Sequence, residues 1–280
     1  MKVDLHLHST ASDGRVSPEA LVELAIEGGL DLIALTDHDT VDGVEAAMAR
    51  GRQSGRIEVV SGIEVSTNSP QGELHILGYF VDPSDRRLRA HGAVASDSRA
   101  ERLRRMVDRL RAQGLEVTFE GVLEQAGGDV SSLGRPHLAR EMVRLGIVES
   151  VPEAFDLYIG NDHPAYLATD LLDPGAAIRM IQGAGGVAIW AHPAPYHFDA
   201  LLPGLLAEGL DGIEVFRPRN SPQWVRSLDR AATRHGDVLR TGGSDWHGPD
   251  DGVLGTFFVE ARDVEPLLDR RTGSGAPSAG

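Results

Sequence analysis

Val3-Asp4-Leu5-His6-Leu7-His8, followed by Ser9, is the stretch from which the fold is read. An extended chain turns alternate side chains to opposite faces. Asp4, His6 and His8 are therefore expected on one face of a first strand, with Val3, Leu5 and Leu7 on the other. Two imidazoles two residues apart on a strand can hold one metal ion. Taken alone, the pair could equally be the polar face of an edge strand. The later segments decide, because four of them end a strand-like run on a metal-ligand type.

Outward from that strand, Ser17-Pro18 has the form of a helix start, with Ser17 as cap and Pro18 in the first turn. Leu30 to Leu35 is almost continuously apolar, as in a strand covered on both faces, and stops at Thr36-Asp37-His38-Asp39. A helix is expected over 41–53. Ile57 to Val60 leads into Ser61-Gly62-Ile63-Glu64-Val65-Ser66, and the run Glu73 to Tyr79, containing His75, could pair back on it. Alternating strands and helices of this kind predict a parallel α/β fold.

Near Ser96 the pattern changes. Ser96 to Gln113 is a charged amphipathic helix with Leu103, Met106, Val107 and Leu110 on one stripe, and shorter helical pieces follow over 119–125, 136–145 and 152–158. Residues 95–168 are expected to form a helical insert. The alternation then resumes. Asp173-Pro174 caps a helix, and Val187 to Trp190 is a buried strand ending at Ala191-His192-Pro193. Gly212 to Phe216 is another strand, and Ser221-Pro222 opens a helix. Val238-Leu239-Arg240 leads to Gly243-Ser244-Asp245-Trp246-His247, and Gly255 to Val259 could be a last strand. The expected organisation is a discontinuous α/β domain over 1–94 and 169–271, the insert over 95–168, and a disordered tail over 272–280.

The chain has 280 residues, no cysteine and a formal net charge of −15. Without cysteine, thiolate metal sites and a cysteine nucleophile are excluded, so any metal must be held by His, Asp and Glu. The acidic balance argues against tight binding to long duplex nucleic acid but leaves a small phosphorylated substrate open. No basic stretch precedes an apolar run at the N-terminus and no run is long enough to span a membrane, so a cytoplasmic location is the expectation. Oligomeric state is not read from the sequence.

The candidate ligands are His6, His8, Asp13, His38, Glu64, His75, His192, Asp245 and His247. Most fall at or just after the carboxyl end of an expected strand, where a β/α barrel gathers its active site. Each has a plain structural alternative. Asp13 before Gly14 could form a turn, His38 could cap a helix, His75 could sit in the core, and Glu64 could lie on the surface. Together, those alternatives would bury several polar groups at strand ends without purpose, which is unfavourable unless they are paired. Nine donors exceed one tetrahedral site, and two or three ions sharing a bridging carboxylate fit better, with Glu64 as the bridge. His91, His163, His197 and His235 are expected in loops or at helix ends, without a role.

Asp-Leu-His-Leu-His-Ser at 4–9, Thr-Asp-His at 36–38, Gly-Ile-Glu-Val-Ser at 62–66, His75, Ala-His-Pro at 191–193 and Gly-Ser-Asp-Trp-His at 243–247 resemble the PHP (polymerase and histidinol phosphatase) family. The resemblance implies a distorted (β/α)7 TIM-like barrel carrying a helical insert, two or three divalent ions (manganese, iron or zinc), and phosphoester hydrolysis. Leu-Gly-Arg-Pro-His-Leu-Ala at 133–139 is most similar to the branch acting on 3',5'-bisphosphonucleotides and, in some members, on the 5' end of short RNA. By that likeness Arg135 and His137 would face the metals and hold substrate phosphate. His6, His8, Glu64 and Asp245 would hold one ion, Glu64, His75 and His192 a second, and Asp13, His38 and His247 a third.

The expected nucleophile is a metal-activated hydroxide, since bound cations neutralise a phosphate dianion and acidify coordinated water. His247 is a candidate proton donor, Arg217 and Arg219 are weaker phosphate candidates, and Asp4 is expected to orient a ligand from behind. Three alternatives stand beside this reading. One is histidinol-phosphate or other small-molecule phosphatase activity. The second is a non-catalytic metal-binding module for a phosphorylated partner. The third, amide hydrolysis, often needs a lysine near the metals, and Lys2 is the only lysine in the chain.

Overall fold

The computed structural model describes residues 1–70, 72–128, 133–167, 171–236 and 238–271. The expected tail at 272–280 and the insert end at 168 lie outside them. The chain divides into two compact units, Met1–Arg89 with Leu172–Gly280, and Ala90–Leu171.

The first unit is built on one eight-stranded sheet. Its strands are β1 (Lys2–Leu7), β2 (Leu32–Leu35), β3 (Glu58–Ser69), β4 (Gly72–Tyr79), β5 (Val187–Trp190), β6 (Gly212–Phe216), β7 (Leu239–Gly242) and β8 (Val259–Glu260). The spatial order is β7-β6-β5-β4-β3-β2-β1-β8. β1, β2 and β3 run parallel, as do β5, β6 and β7, while β4 is antiparallel to both β3 and β5. The sheet nearly closes on itself. The amide of His8 donates to Trp246 O at 3.0 Å and the amide of Asp245 donates to His6 O at 2.9 Å, joining β1 to the segment that follows β7. A barrel of six parallel strands with β4 and the two-residue β8 reversed is the result.

Two layers pack on this frame. Val3, Leu5, Leu32, Ala34, Val60, Leu77, Ile189 and Leu239, drawn from strands around the sheet, form one interior cluster. Helix α10 (Glu265–Arg270) adds Leu267 and Leu268 at the end where β1 begins. Outside lie α1 (Pro18–Glu27), α2 (Val44–Ser54), α7 (Pro174–Gly183), α8 (Pro195–Ala207) and α9 (Pro222–Arg234). The caps read from sequence are present. Ser17 accepts from the Ala20 amide, Asp173 from Ala176 and Ser221 from Trp224, each with proline in the first turn.

The strict face alternation expected of β1 does not hold. Val3 and Leu5 join the interior cluster, but Leu7 packs with Leu21, Val22 and Leu35 beneath α1. The pairing with β2 slips between Asp4 and Leu7. A bulge of this kind re-aims side chains, and it lets the interior be apolar at Leu5 and polar at His6. Helix α8 was not anticipated, and the last strand is shorter than expected.

The second unit contains most of α3 (Arg86–Ala112), with α4 (Phe119–Gln125), α5 (Arg135–Arg144), α6 (Val151–Ala154) and a π-helical turn at Phe155–Ile159. Its core is formed by Leu103, Met106, Leu110, Val122, Leu138 and Met142, among others. α3 begins ten residues before the expected Ser96, because Asp85 Oδ1 accepts the amides of Arg87 and Leu88 and caps it there.

Candidate metal centre

The nine candidate ligands lie in the barrel unit, on six strands or the segments that follow them. His6 is in β1 and His8 just beyond it, with Asp13 in the loop that follows. His38 follows β2, Glu64 is within β3, and His75 is in β4. Because β4 runs backwards, its early residues reach the end of the barrel where the parallel strands finish, and His75 pairs with Ser66 of β3. His192 follows β5, and Asp245 and His247 follow β7.

The Glu64 carboxylate, fully buried, is the common element. Its Oε2 lies 3.1 Å from His6 Nε2, 3.3 Å from His8 Nε2 and 3.3 Å from His38 Nδ1. Its Oε1 lies 3.0 Å from His75 Nδ1 and 3.0 Å from His192 Nε2. Asp245 Oδ1 is 3.4 Å from Nε2 of both His6 and His8, and His247 Nε2 is 3.3 Å from Asp13 Oδ1. Among the described residues, three groups have ligand atoms all within 4.8 Å of one another. They are His6, His8, Glu64 and Asp245; His38, Glu64 and His75; and His8, Asp13, His38 and His247. The first is the set implied by the resemblance. In the other two His38 and His8 recur, and His192 approaches through Glu64.

The donor set fits a divalent cation. Both ring nitrogens of His8 and Nδ1 of His38 are buried without a hydrogen-bond partner. Leaving such atoms unsatisfied costs about 1–3 kcal/mol each, and ring nitrogens with lone pairs beside carboxylates are what a hard or borderline cation satisfies. Among the described residues, three of the four non-glycine residues with positive φ are at this end of the barrel: Asp39 at 56°, His192 at 33° and Asp245 at 59°. Such backbone is unfavourable and clusters where geometry is held for a function.

Electrostatics follow the same arrangement. Burial would push the Glu64 carboxyl up, but His6, His38 and His75 outweigh it and hold it well below the ordinary range. Burial likewise favours neutral His247, yet Asp13 beside it raises the ring to about 10. Burial also opposes protonation of His6 and His75, but the carboxylates around them, Glu64 with Glu214 and Asp245 for His6 and Glu64 with Glu73 for His75, together more than reverse it. His38 goes the other way, to about 4, because burial prevails over Glu64 and Asp13.

Several surrounding groups were missed or misjudged from sequence. Glu214 in β6 is fully buried and receives His6 Nδ1 at 2.9 Å. Its signal was available: Ile213 and Val215 pack outward, so alternation turns the glutamate inward, where a lone carboxylate needs partners. Arg217, read as a phosphate candidate, is committed to Asp245 Oδ2 at 2.5 Å, whereas Arg219 is exposed and near Asp251. Asp4 accepts the amides of Ser244 at 2.9 Å and His6 at 3.3 Å, tying β1 to the Asp245 loop. Asp37 accepts from Ser9 and Ser12 at 2.7 Å and fixes the loop carrying Asp13. Glu73 lies 3.2 Å from His75 Nε2.

Arg135 and His137 belong to the helical unit. The Arg135 guanidinium donates to Asn161 Oδ1 at 2.8 Å and lies over the rings of Phe155 and Tyr166. His137 is buried, and its Nδ1 accepts the Gly134 amide at 3.1 Å, capping α5. Of the histidines set aside, His163, His197 and His235 are in a turn or near helix ends, but His91 lies inside α3.

A PHP domain model matches residues 4–82. A 5'-3' exoribonuclease of Haemophilus influenzae is 34% identical over 253 residues, covering 89% of this chain and 90% of its own. The chain belongs to the PHP family. A second PHP relative, a 3',5'-nucleoside bisphosphate phosphatase of Chromobacterium violaceum, is 32% identical over 270 residues, 95% of this chain and 93% of its own. A solved structure from Bifidobacterium adolescentis, described as a metal-dependent phosphoesterase, superposes with a TM-score of 0.85 at 33% identity, covering 96% of both chains. These relatives and this structural likeness make the chain an enzyme of the metal-dependent phosphoesterase class. No helix among the described residues is long and apolar enough to cross a membrane.

Proposed function

We propose that this PHP phosphoesterase hydrolyses phosphate esters of nucleotides, with 3',5'-bisphosphonucleotides as the first substrate class and 5'-phosphorylated short RNA as the second. The observation that carries the reading is Glu64, one buried carboxylate met by five imidazoles from four segments of the barrel. Two or three divalent ions, of manganese, iron or zinc, are the proposed complement. His6, His8, Glu64 and Asp245 are assigned to one, Glu64, His75 and His192 to a second, and Asp13, His38 and His247 to a third. Such ions neutralise phosphate charge and bring the pKa of coordinated water toward neutrality.

The chain's own groups then divide the work. Glu64 balances the charge of more than one ion. Arg135 is proposed to hold a substrate phosphate, for which its planar fork supplies two parallel hydrogen bonds. Asn161 and two aromatic rings keep that fork from wandering. His137 is proposed to assist from the same turn. His247 serves as a ligand, and its role as proton donor applies only when Nε2 is free.

The test is turnover by metal-reconstituted protein of a 3',5'-bisphosphonucleotide, a 5'-phosphorylated trinucleotide and histidinol phosphate. Preference for the first two supports the proposal. Preference for histidinol phosphate would move the enzyme to small-molecule phosphatases. No turnover of any phosphoester would leave a phosphate-recognising module.

A further inference from the structure

Glu214 makes no contact that assigns it to a candidate ion group, yet it touches the supports of three ligands. Its Oε1 takes Nδ1 of His6 at 2.9 Å. Its Oε2 accepts the amide of His192 at 2.8 Å, the residue whose φ of 33° strains the turn after β5. The same oxygen is 3.3 Å from Arg217 Nε, and Arg217 continues to Asp245 Oδ2 at 2.5 Å. The carboxylate and Glu214's position in β6 are fully buried.

We propose that Glu214 is the positioning residue of the centre. It sets the ring of His6, the backbone of His192 and, through Arg217, the carboxylate of Asp245, and so governs occupancy of the group formed by His6, His8, Glu64 and Asp245. The chemistry is directional. An ionised carboxylate only accepts hydrogen bonds, so His6 carries a hydrogen on Nδ1, and Nε2, which faces Glu64 and Asp245, is the nitrogen left to ligate once its own proton has gone. His8 is different, since its Nδ1 has no hydrogen-bond partner. Two histidines in one group therefore have unequal support, and the anchored one depends on Glu214. Arg217 links two carboxylates, which holds Asp245 Oδ2 away and leaves Oδ1 beside the two histidines. Among the described residues, the group of His8, Asp13, His38 and His247 has no hydrogen bond or ion pair with Glu214, and Asp37 with its serines fixes the loop that carries Asp13.

This inference rests on the metal-centre reading, and the test separates the two. Metal-free wild type, Glu214→Gln and Arg217→Lys are titrated with cobalt(II), following heat and visible absorption, and their metal-free melting curves are compared. Glu214→Gln keeps the volume but puts an amide donor against His6 or His192. The expected result is that cobalt held through His6, Asp245 and His192 is weakened about 10–100-fold with a changed visible spectrum, while the class held by Asp13, His38 and His247 keeps its affinity. Arg217→Lys, which cannot span both carboxylates, is expected to weaken the same class by a smaller factor. Unchanged binding in Glu214→Gln, or equal weakening of every class, overturns the proposal. If Glu214→Gln does not fold, unchanged cobalt affinity in Arg217→Lys overturns it. Wild type that binds no cobalt defeats the metal-centre reading itself.

Discussion

His192 Nε2 lies 3.0 Å from Oε1 of Glu64, across 128 residues of sequence. The contact links the segment after β5 to the interior of β3, and neither residue would be exceptional in its own strand. Replacing the carboxylate tests whether the meeting is functional. Glu64→Gln keeps the shape and removes the charge that five imidazoles share. Metal content should fall by at least one ion per chain and turnover should drop beyond the roughly 10–100-fold typical of losing a supporting residue. Elemental analysis beside steady-state rates checks it, and full metal content with normal turnover would refute the bridging role.

Metal affinity should rise with pH. In the metal-free centre His247 is held protonated up to about 10 because Asp13 and Asp245 together outweigh burial, and His6 and His75 are raised well above their ordinary value because the carboxylates around them, Glu64 foremost, do so. A ring nitrogen ligates only after losing its proton, so protons must leave as the cation arrives. His38, pushed down to about 4 by burial, is already neutral and adds nothing to the slope. Affinity should therefore tighten from pH 6 toward pH 10 by up to about tenfold per unit for each proton displaced. Competition against a fluorescent chelator at four pH values reads this directly, and a flat profile would contradict it.

Arg135→Ala should separate substrate handling from metal binding. Losing charge-assisted hydrogen bonds to phosphate is worth roughly 1.5–3 kcal/mol, which is about 10–100-fold in kcat/KM. Metal stoichiometry should stay at the wild-type value. An unchanged kcat/KM would remove Arg135 from the substrate site.

Gly243→Ala should loosen barrel closure. A Cβ there would run into the backbone and Cβ of His6, where the segment after β7 crosses β1. Overpacking of this kind costs about 1–3 kcal/mol. The melting midpoint should fall, on the order of 2–4 °C per kcal/mol in a chain of this size. Calorimetry checks it, and a wild-type midpoint would show that closure does not depend on that approach.

The barrel and the gathering of the candidate ligands at one end of it were legible because they rest on periodicity and on residue type at strand ends. Thr36-Asp37-His38 after an apolar run, or Ala191-His192-Pro193 after another, states both where a strand stops and what it carries there. What was not legible depends on three-dimensional partners. The bulge in β1 shows only once β2 lies beside it. Helix α8 hides its stripe of Phe198, Leu202 and Leu205 behind Pro203 and Gly204, both poor helix residues. Glu214 looks like one polar residue in a strand until His6 and Arg217 arrive from elsewhere.

The thread through His6 at one extreme and His247 at the other has a consequence for biosynthesis. During translation the segment after β7, which carries Asp245 and closes the barrel onto His6, is made long after the first histidines. Between the two, a growing chain carries only part of its candidate ligand set. The full candidate set comes together only when the barrel closes, so a cation held by all of it would report a finished barrel.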